Sequence, residues 1–138
     1  MPHPQMFDDD DPSLARVREI ALAFPAAEMK VSHGRPAFFT APRGKVFVYY
    51  GGSHKLDGDW VSHEQCVMVL LEADEREALL DDPRAFVPAY LGPSGWLGVD
   101  LPDPAGDTGW DEVAELVDAS YRRTAAARLV AELDAAVE

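Results

Sequence analysis

Two short runs, PAFFTA (36–41) and KVFVYY (45–50), are separated only by Pro42-Arg43-Gly44. Aromatic and β-branched residues dominate both, as strands prefer. Proline and glycine between them supply a turn. Strands joined this closely must pair antiparallel, because a parallel pair needs a crossover of about a dozen residues or more. The chain is thereby committed to at least one β-hairpin, and the surrounding segments must be arranged around it.

The flanking patterns fill out the architecture. Asp11-Pro12 reads as the start of a helix, with aspartate as N-cap and proline in the first turn. Leu14, Val17, Ala21 and Phe24 then share one face, and Pro25 ends the element. Residues 28–33 read as a further strand before the hairpin. Residues 51–59 (GGSHKLDGD) read as a polar, glycine-rich loop, and 65–71 (QCVMVLL) as a buried strand. A short charged helix is expected over 74–81. Around Gly92-Pro93-Ser94-Gly95 the flanks VPAYL and WLGVDL predict a second hairpin, with Tyr90 and Trp96 on neighbouring strands and Trp96 buried. Thr108 and Asp111 resemble a capping box ahead of a helix over 110–123. An unbroken helix from 110 to 137 would span roughly 40 Å, too long for a small domain. A break near 124–127 is therefore expected, with Leu129, Val130 and Leu133 on a final helix. Strands grouped between helices predict an α+β fold, an antiparallel sheet with helices packed on one face.

The chain has 138 residues, 47% of them apolar, enough for one domain with a sizeable core. We expect residues 1–11, a short acidic stretch, to be a disordered tail, and 12–138 to form the single domain. No run approaches the ~18 apolar residues of a membrane helix, and the N-terminus lacks the apolar core of a signal peptide. The one cysteine, Cys66, cannot form an internal disulfide. Together these features point to a cytoplasmic protein with no membrane partner.

Charge is distributed unevenly. The chain carries 25 acids and 12 bases, a net charge of −13, yet residues 30–56 contain no acid. That stretch holds Lys30, Arg35, Arg43, Lys45 and Lys55, with His33 and His54 near its ends. A basic island in an acidic chain points to an anion-facing surface, and cationic edge strands are its structural alternative. No phosphate-binding glycine loop, no HExxH, no CxxC and no GxSxG occurs. His3, His33, His54 and His63 share no metal-ligand spacing, so no metal, cofactor or catalytic residue is expected. Cys66, in an apolar run, reads as a core residue. Strict alternation from residue 45 would put Lys45, Phe47 and Tyr49 on one side of their strand and Val46, Val48 and Tyr50 on the other.

The segments SHGRPAFFTAPRGKVFVYY, the histidine in GGSHK, DDPRAFVPAYLGPSGWLGVDL and GWDEVAELVDASYRRTA resemble the MmcQ/YjbR family, over about residues 12–136. The positions that carry the resemblance are Gly34, Pro36, Phe38, Lys45, Phe47, Pro88, Tyr90, Gly95, Trp96 and Tyr121. The resemblance implies a fold like bacterial frataxin (CyaY-like) and a DNA-binding role with hairpins as wings. It implies no catalytic residue.

Two readings of the island stay open. In the first, the chain is a non-enzymatic binding protein that holds DNA weakly through the first hairpin, with Arg35, Arg43 and Lys45 facing phosphates and Tyr49 available for stacking. In the second, the same basic surface, with Lys55 on it, takes a small anion or metabolite, and His33, Arg35, Lys45 and His54 converge in a cleft beside Tyr49 or Tyr50, with an enzymatic use left open.

Overall fold

The computed structural model describes residues 4–137. Its elements run α1 (Pro12–Leu22), β1 (Ala27–Ser32), β2 (Arg35–Thr40), β3 (Val46–Leu56), β4 (Asp59–Leu70), α2 (Ala73–Leu79), β5 (Ala85–Phe86), β6 (Trp96–Asp100), α3 (Trp110–Thr124) and α4 (Ala127–Val137). One short 3₁₀ turn lies at Gly92–Ser94. The six strands form one sheet in the order β1-β2-β3-β4-β6-β5, and every neighbouring pair is antiparallel. The expected α+β class and antiparallel sheet are therefore present. His3 lies outside the described residues. Pro4 to Asp11 run along the body, and the Met6 N–H donates to the Gly34 carbonyl at 2.7 Å.

α1 begins where the sequence places it. Asp11 caps it by accepting from the Ser13 N–H at 2.9 Å, and Pro12 occupies its first turn. The Tyr50 hydroxyl also donates to the Asp11 carboxylate, tying this helix to the central strand β3. Burial, and then the adjoining carboxylate, push the Tyr50 hydroxyl well above its usual pKa. α3 starts at Gly109, which caps it without a side-chain hydrogen bond, so the Thr108/Asp111 capping box does not form.

One face of the sheet is covered by helices. Leu14 and Val17 of α1, and Trp110, Val113, Val117 and Tyr121 of α3, pack with Phe47, Val48, Tyr50, Val67 and Val69 of the sheet. Tyr121 meets Phe47 edge-on at 5.1 Å, and its hydroxyl donates to the Pro25 carbonyl at 2.8 Å. Leu129 of α4 joins the same core, after a break at residues 125–126.

Three segments of the sheet differ from expectation. Residues 51–59 are strand, not loop: β3 and β4 continue to a two-residue turn at Asp57 (φ 53°) and Gly58 (φ 86°). Both central residues are left-handed, as a type I′ turn requires, and the Asp-Gly pair supplies them. The second hairpin is shorter than predicted. β5 has two residues, and 87–91 form no strand. Pro88 has no N–H to give a ladder. Tyr90 is therefore not paired beside Trp96; it is 83% exposed, while Trp96 is buried as expected.

The third difference lies in the phase of β3. The β2–β3 register pairs Phe38 with Val48 but Phe39 with Val46, so Phe47 is an extra residue. This β-bulge breaks the alternation. Phe47 and Val48 both join the helix-side core, while Val46 and Tyr49 pack on the opposite face. The two valines do not share a side, and Lys45 precedes the strand.

The bulge requires a backbone partner, and Ser120 of α3 supplies one. Its fully buried hydroxyl donates to the Phe47 carbonyl and accepts from the Leu70 N–H at 2.9 Å. Removing it orphans a buried acceptor and a buried donor. Ser120→Ala is expected to cost about 1–3 kcal/mol in urea unfolding without changing the m-value. An unchanged midpoint would show that the hydroxyl is dispensable to the bulge.

Candidate functional site

The face of the sheet opposite the helices carries a smaller cluster of Cys66, Met68, Phe86 and Trp96, joined by Val46, Tyr49, Leu70 and Leu91. The segment after β5 crosses this face. Phe86 pairs with Gly98 of β6, and three residues later the Ala89 N–H donates to the Ser53 carbonyl of β3 at 3.1 Å. Residues 87–91 thus form a strap from the sheet edge back to its central strand.

A cleft of about 690 Å³ opens along this strap. Pro88 to Leu91 form one wall; Ser32, His33, Arg35 and Met6 form the other; Tyr49, Gly51, Gly52 and Met68 lie between. Its volume falls within the range of small-molecule sites, roughly 300–1,000 Å³.

Arg35 is the cleft's fixed charge. Its side chain is 14% exposed and reaches across β3 at Gly51. A Cβ on Gly51 would lie 2.4 Å from Arg35 Nη1, and Gly51 has φ +80°, so only glycine lets the guanidinium lie there. Arg35 Nη1 stands 3.6 Å from Glu64 Oε2. That separation exceeds a direct hydrogen bond, and five N–H donors on one guanidinium leave capacity for another anion. His33 sits at the left-handed tip of the β1–β2 turn (φ 51°) and is exposed on the cleft wall. Tyr49 packs edge-to-face on Trp96 at 5.1 Å, and burial raises its hydroxyl pKa.

The remaining residues singled out in the sequence lie elsewhere. Arg43 and Lys45 are exposed on the β2–β3 turn. Lys55 is exposed near the far end of β3, its Nζ 4.9 Å above the Trp60 ring. Ten strand steps separate Lys45 from Lys55, on the order of 30 Å. Lys30 covers the Phe39 ring at 4.9 Å. Of the expected set, the cleft therefore unites His33, Arg35 and Tyr49, and it does not include Arg43, Lys45, His54 or Lys55.

His54 belongs to a second cluster on the same face. Its Nδ1 lies 2.7 Å from His63 Nε2, and His63 Nδ1 lies 2.8 Å from Asp100 Oδ1. His63 stacks flat against Phe86, with ring centroids 3.7 Å apart and planes 9° apart. The sequence held one usable sign of this pair. Once Asp57-Gly58 is recognised as a two-residue turn, His54 and His63 fall on diagonal positions of one face. Asp100 arrives through the β4–β6 pairing, for which no local signal exists. Among the described residues no group of three or more histidine, cysteine, aspartate or glutamate side chains could hold a metal ion.

This architecture defines the class: an antiparallel α+β protein with helices on one sheet face and a strapped cleft on the other. The family model described as YjbR matches residues 22–123, from the end of α1 to the end of α3. The chain belongs to the YjbR family. No curated protein matches it. No helix among the described residues is long and apolar enough to cross a membrane.

Cys66 lies in the floor cluster of this face, fully buried. Burial, reinforced by the Asp100 charge and opposed by Arg35, pushes its thiol up to about 12. The thiolate is the reactive form. Native protein at pH 8 is therefore expected to resist a thiol reagent that labels it at once in urea. Rapid native labelling would mean that the open face breathes enough to expose the cluster.

Proposed function

We propose that this chain is a binding protein for a small, largely apolar anion, taken up in the cleft beneath the 87–91 strap. The observation that carries this reading is the pairing of an apolar floor, Tyr49 and Met68, with one guanidinium, Arg35, held on the wall by Gly51. Apolar lining with a few placed polar groups is the usual composition of a small-ligand site. Arg35 would meet a carboxylate or phosphate, for which its planar donor fork is suited. His33 would stand at the entrance. Tyr49 and Tyr90 would offer ring faces to the body of the ligand.

A second reading, weak DNA binding, rests on a different observation. Arg43 and Lys45 project from an exposed turn and make no ion pair among the described residues. Arg35 is occupied in the cleft, which leaves two cations on this turn rather than three. Two phosphate contacts imply a slope of log K against log salt of about −1.8. In a chain of net charge −13 such contacts yield weak association at best.

One set of measurements tests both readings. Thermal unfolding is followed with a panel of small aromatic and aliphatic carboxylates and phosphate monoesters, for wild type and for Arg35→Gln. A ligand at a hundredfold excess over its Kd stabilises the fold by about 2.7 kcal/mol. We expect at least one compound to raise the midpoint of the wild type and to raise that of Arg35→Gln by much less. If the panel leaves the wild type unmoved while duplex DNA is retained with the salt slope above, the cleft reading fails and the DNA reading takes its place.

A further inference from the structure

The second cluster, at the Phe86 end of the strap, is not used by either reading. Its three members come from β3, β4 and β6, so no local sequence preference explains their meeting. The hydrogen-bonding roles within it follow from elementary constraints. An ionised carboxylate only accepts, so His63 Nδ1 must carry the proton it gives to Asp100 Oδ1 at 2.8 Å. A neutral His63 then presents a lone pair at Nε2. His54 Nδ1, 2.7 Å away, must donate to it. The remaining nitrogen, His54 Nε2, is left with a lone pair and no hydrogen-bond partner among the described residues.

The inner part of this chain is held rigidly. The His63 side chain is 13% exposed and lies flat under Phe86. Phe86 can lie there because β6 has Gly98 opposite, where a Cβ would stand 2.2 Å from the ring. His54 is half-buried and forms the outer end.

We propose that Asp100, His63 and His54 form a proton-coupled site for a single oxyanion group, a carboxylate or a phosphate. One proton from solvent adds to His54 Nε2. The resulting imidazolium donates through Nδ1 to His63 Nε2, and His63 donates in turn to the Asp100 carboxylate. His54 Nε2–H then donates to the bound oxyanion. A second proton is disfavoured, because it would set two N–H groups against each other across 2.7 Å. The pair therefore takes up one proton as a unit.

The other charged groups around the site are already committed. From β4, Glu64 faces Arg35 of β2, and the Cys66 thiol stays neutral. Lys55 of β3 has its ammonium over Trp60. Arg84, which precedes β5, is bound by Asp82 and Glu112. None of these supplies the counter-charge that the His54 proton would.

Sulfate is the probe, because it does not titrate near neutrality. Imidazole ¹⁵N spectra should show His63 protonated at Nδ1 and His54 protonated at Nδ1. Sulfate should shift His54 Nε2 and leave the protein fold unchanged. Binding heats measured in two buffers of different ionisation enthalpy should differ, reporting uptake of a proton. Asp100→Asn keeps an acceptor but removes the charge, and should weaken sulfate about tenfold with the His63 tautomer retained. His54→Gln should abolish the response, and Arg35→Gln should not touch it, so this site stands or falls separately from the cleft. A His63 ring protonated at Nε2 instead, His54 signals that ignore sulfate, or buffer-independent heats would overturn the proposal. The tautomer and the heats are read on the wild type, so they decide even if a variant does not fold.

Discussion

The arrangement of this molecule depends on the phase of its central strand. β3 carries two irregularities, the extra residue Phe47 against β2 and the shift between Tyr50 and Gly52 against β4. The first sends Phe47 and Val48 together into the helix-side core and returns Tyr49 to the open face. The second falls at Gly51 and Gly52, whose lack of side chains leaves room for Arg35 and Met68 to approach. A regular strand would have presented a flat, alternating surface. The bulged one presents a floor with room above it. The energetic side of this arrangement falls to Ser120, whose hydroxyl bridges Phe47 and Leu70 across the helix–sheet interface.

Both candidate sites use the same device, a glycine that lets a larger group lie across the sheet. Gly51 admits the Arg35 guanidinium, and Gly98 admits the Phe86 ring. Phe86 in turn anchors the strap that walls the cleft and covers His63. The open face is therefore one connected structure: the ring that steadies the histidine pair also begins the segment that shapes the cleft. In a chain of net charge −13, the acid-free stretch 30–56 places its cations differently from a phosphate-tracking stripe. Lys30 and Lys55 cover aromatic rings, Arg35 enters the cleft, and Arg43 and Lys45 stand on a turn.

Much of the fold was legible because its signals are local. Asp11-Pro12 marks the start of α1, Pro42-Arg43-Gly44 lies in the β2–β3 turn, and the length limit on a terminal helix marks the α3–α4 break. The misreadings share a physical cause. A bulge is set by what a strand packs against, so Phe47 carries no sign of it in its neighbours. The turn at Asp57-Gly58 was local and readable, but the polar character of 51–59 masked two strand ends that face solvent on one side. The site was legible only in part. His33, Arg35 and Tyr49 stand out by charge and aromaticity within a short stretch. His63, Asp100 and the strap residues reach them through β4, β5 and β6, whose pairing depends on tertiary packing.

The central question is whether ligands enter the open face of the sheet. Amide and arginine side-chain ¹H–¹⁵N spectra, recorded while small carboxylates and phosphate monoesters are titrated in, read this directly. Shifts are expected at Arg35, Gly51, Gly52, Ser53 and the 89–91 strap, and separately around His54 and His63, with Arg43, Gly44 and Lys45 unmoved. Shifts confined to Arg43, Gly44 and Lys45, with the cleft residues unmoved, would contradict ligand entry at this face.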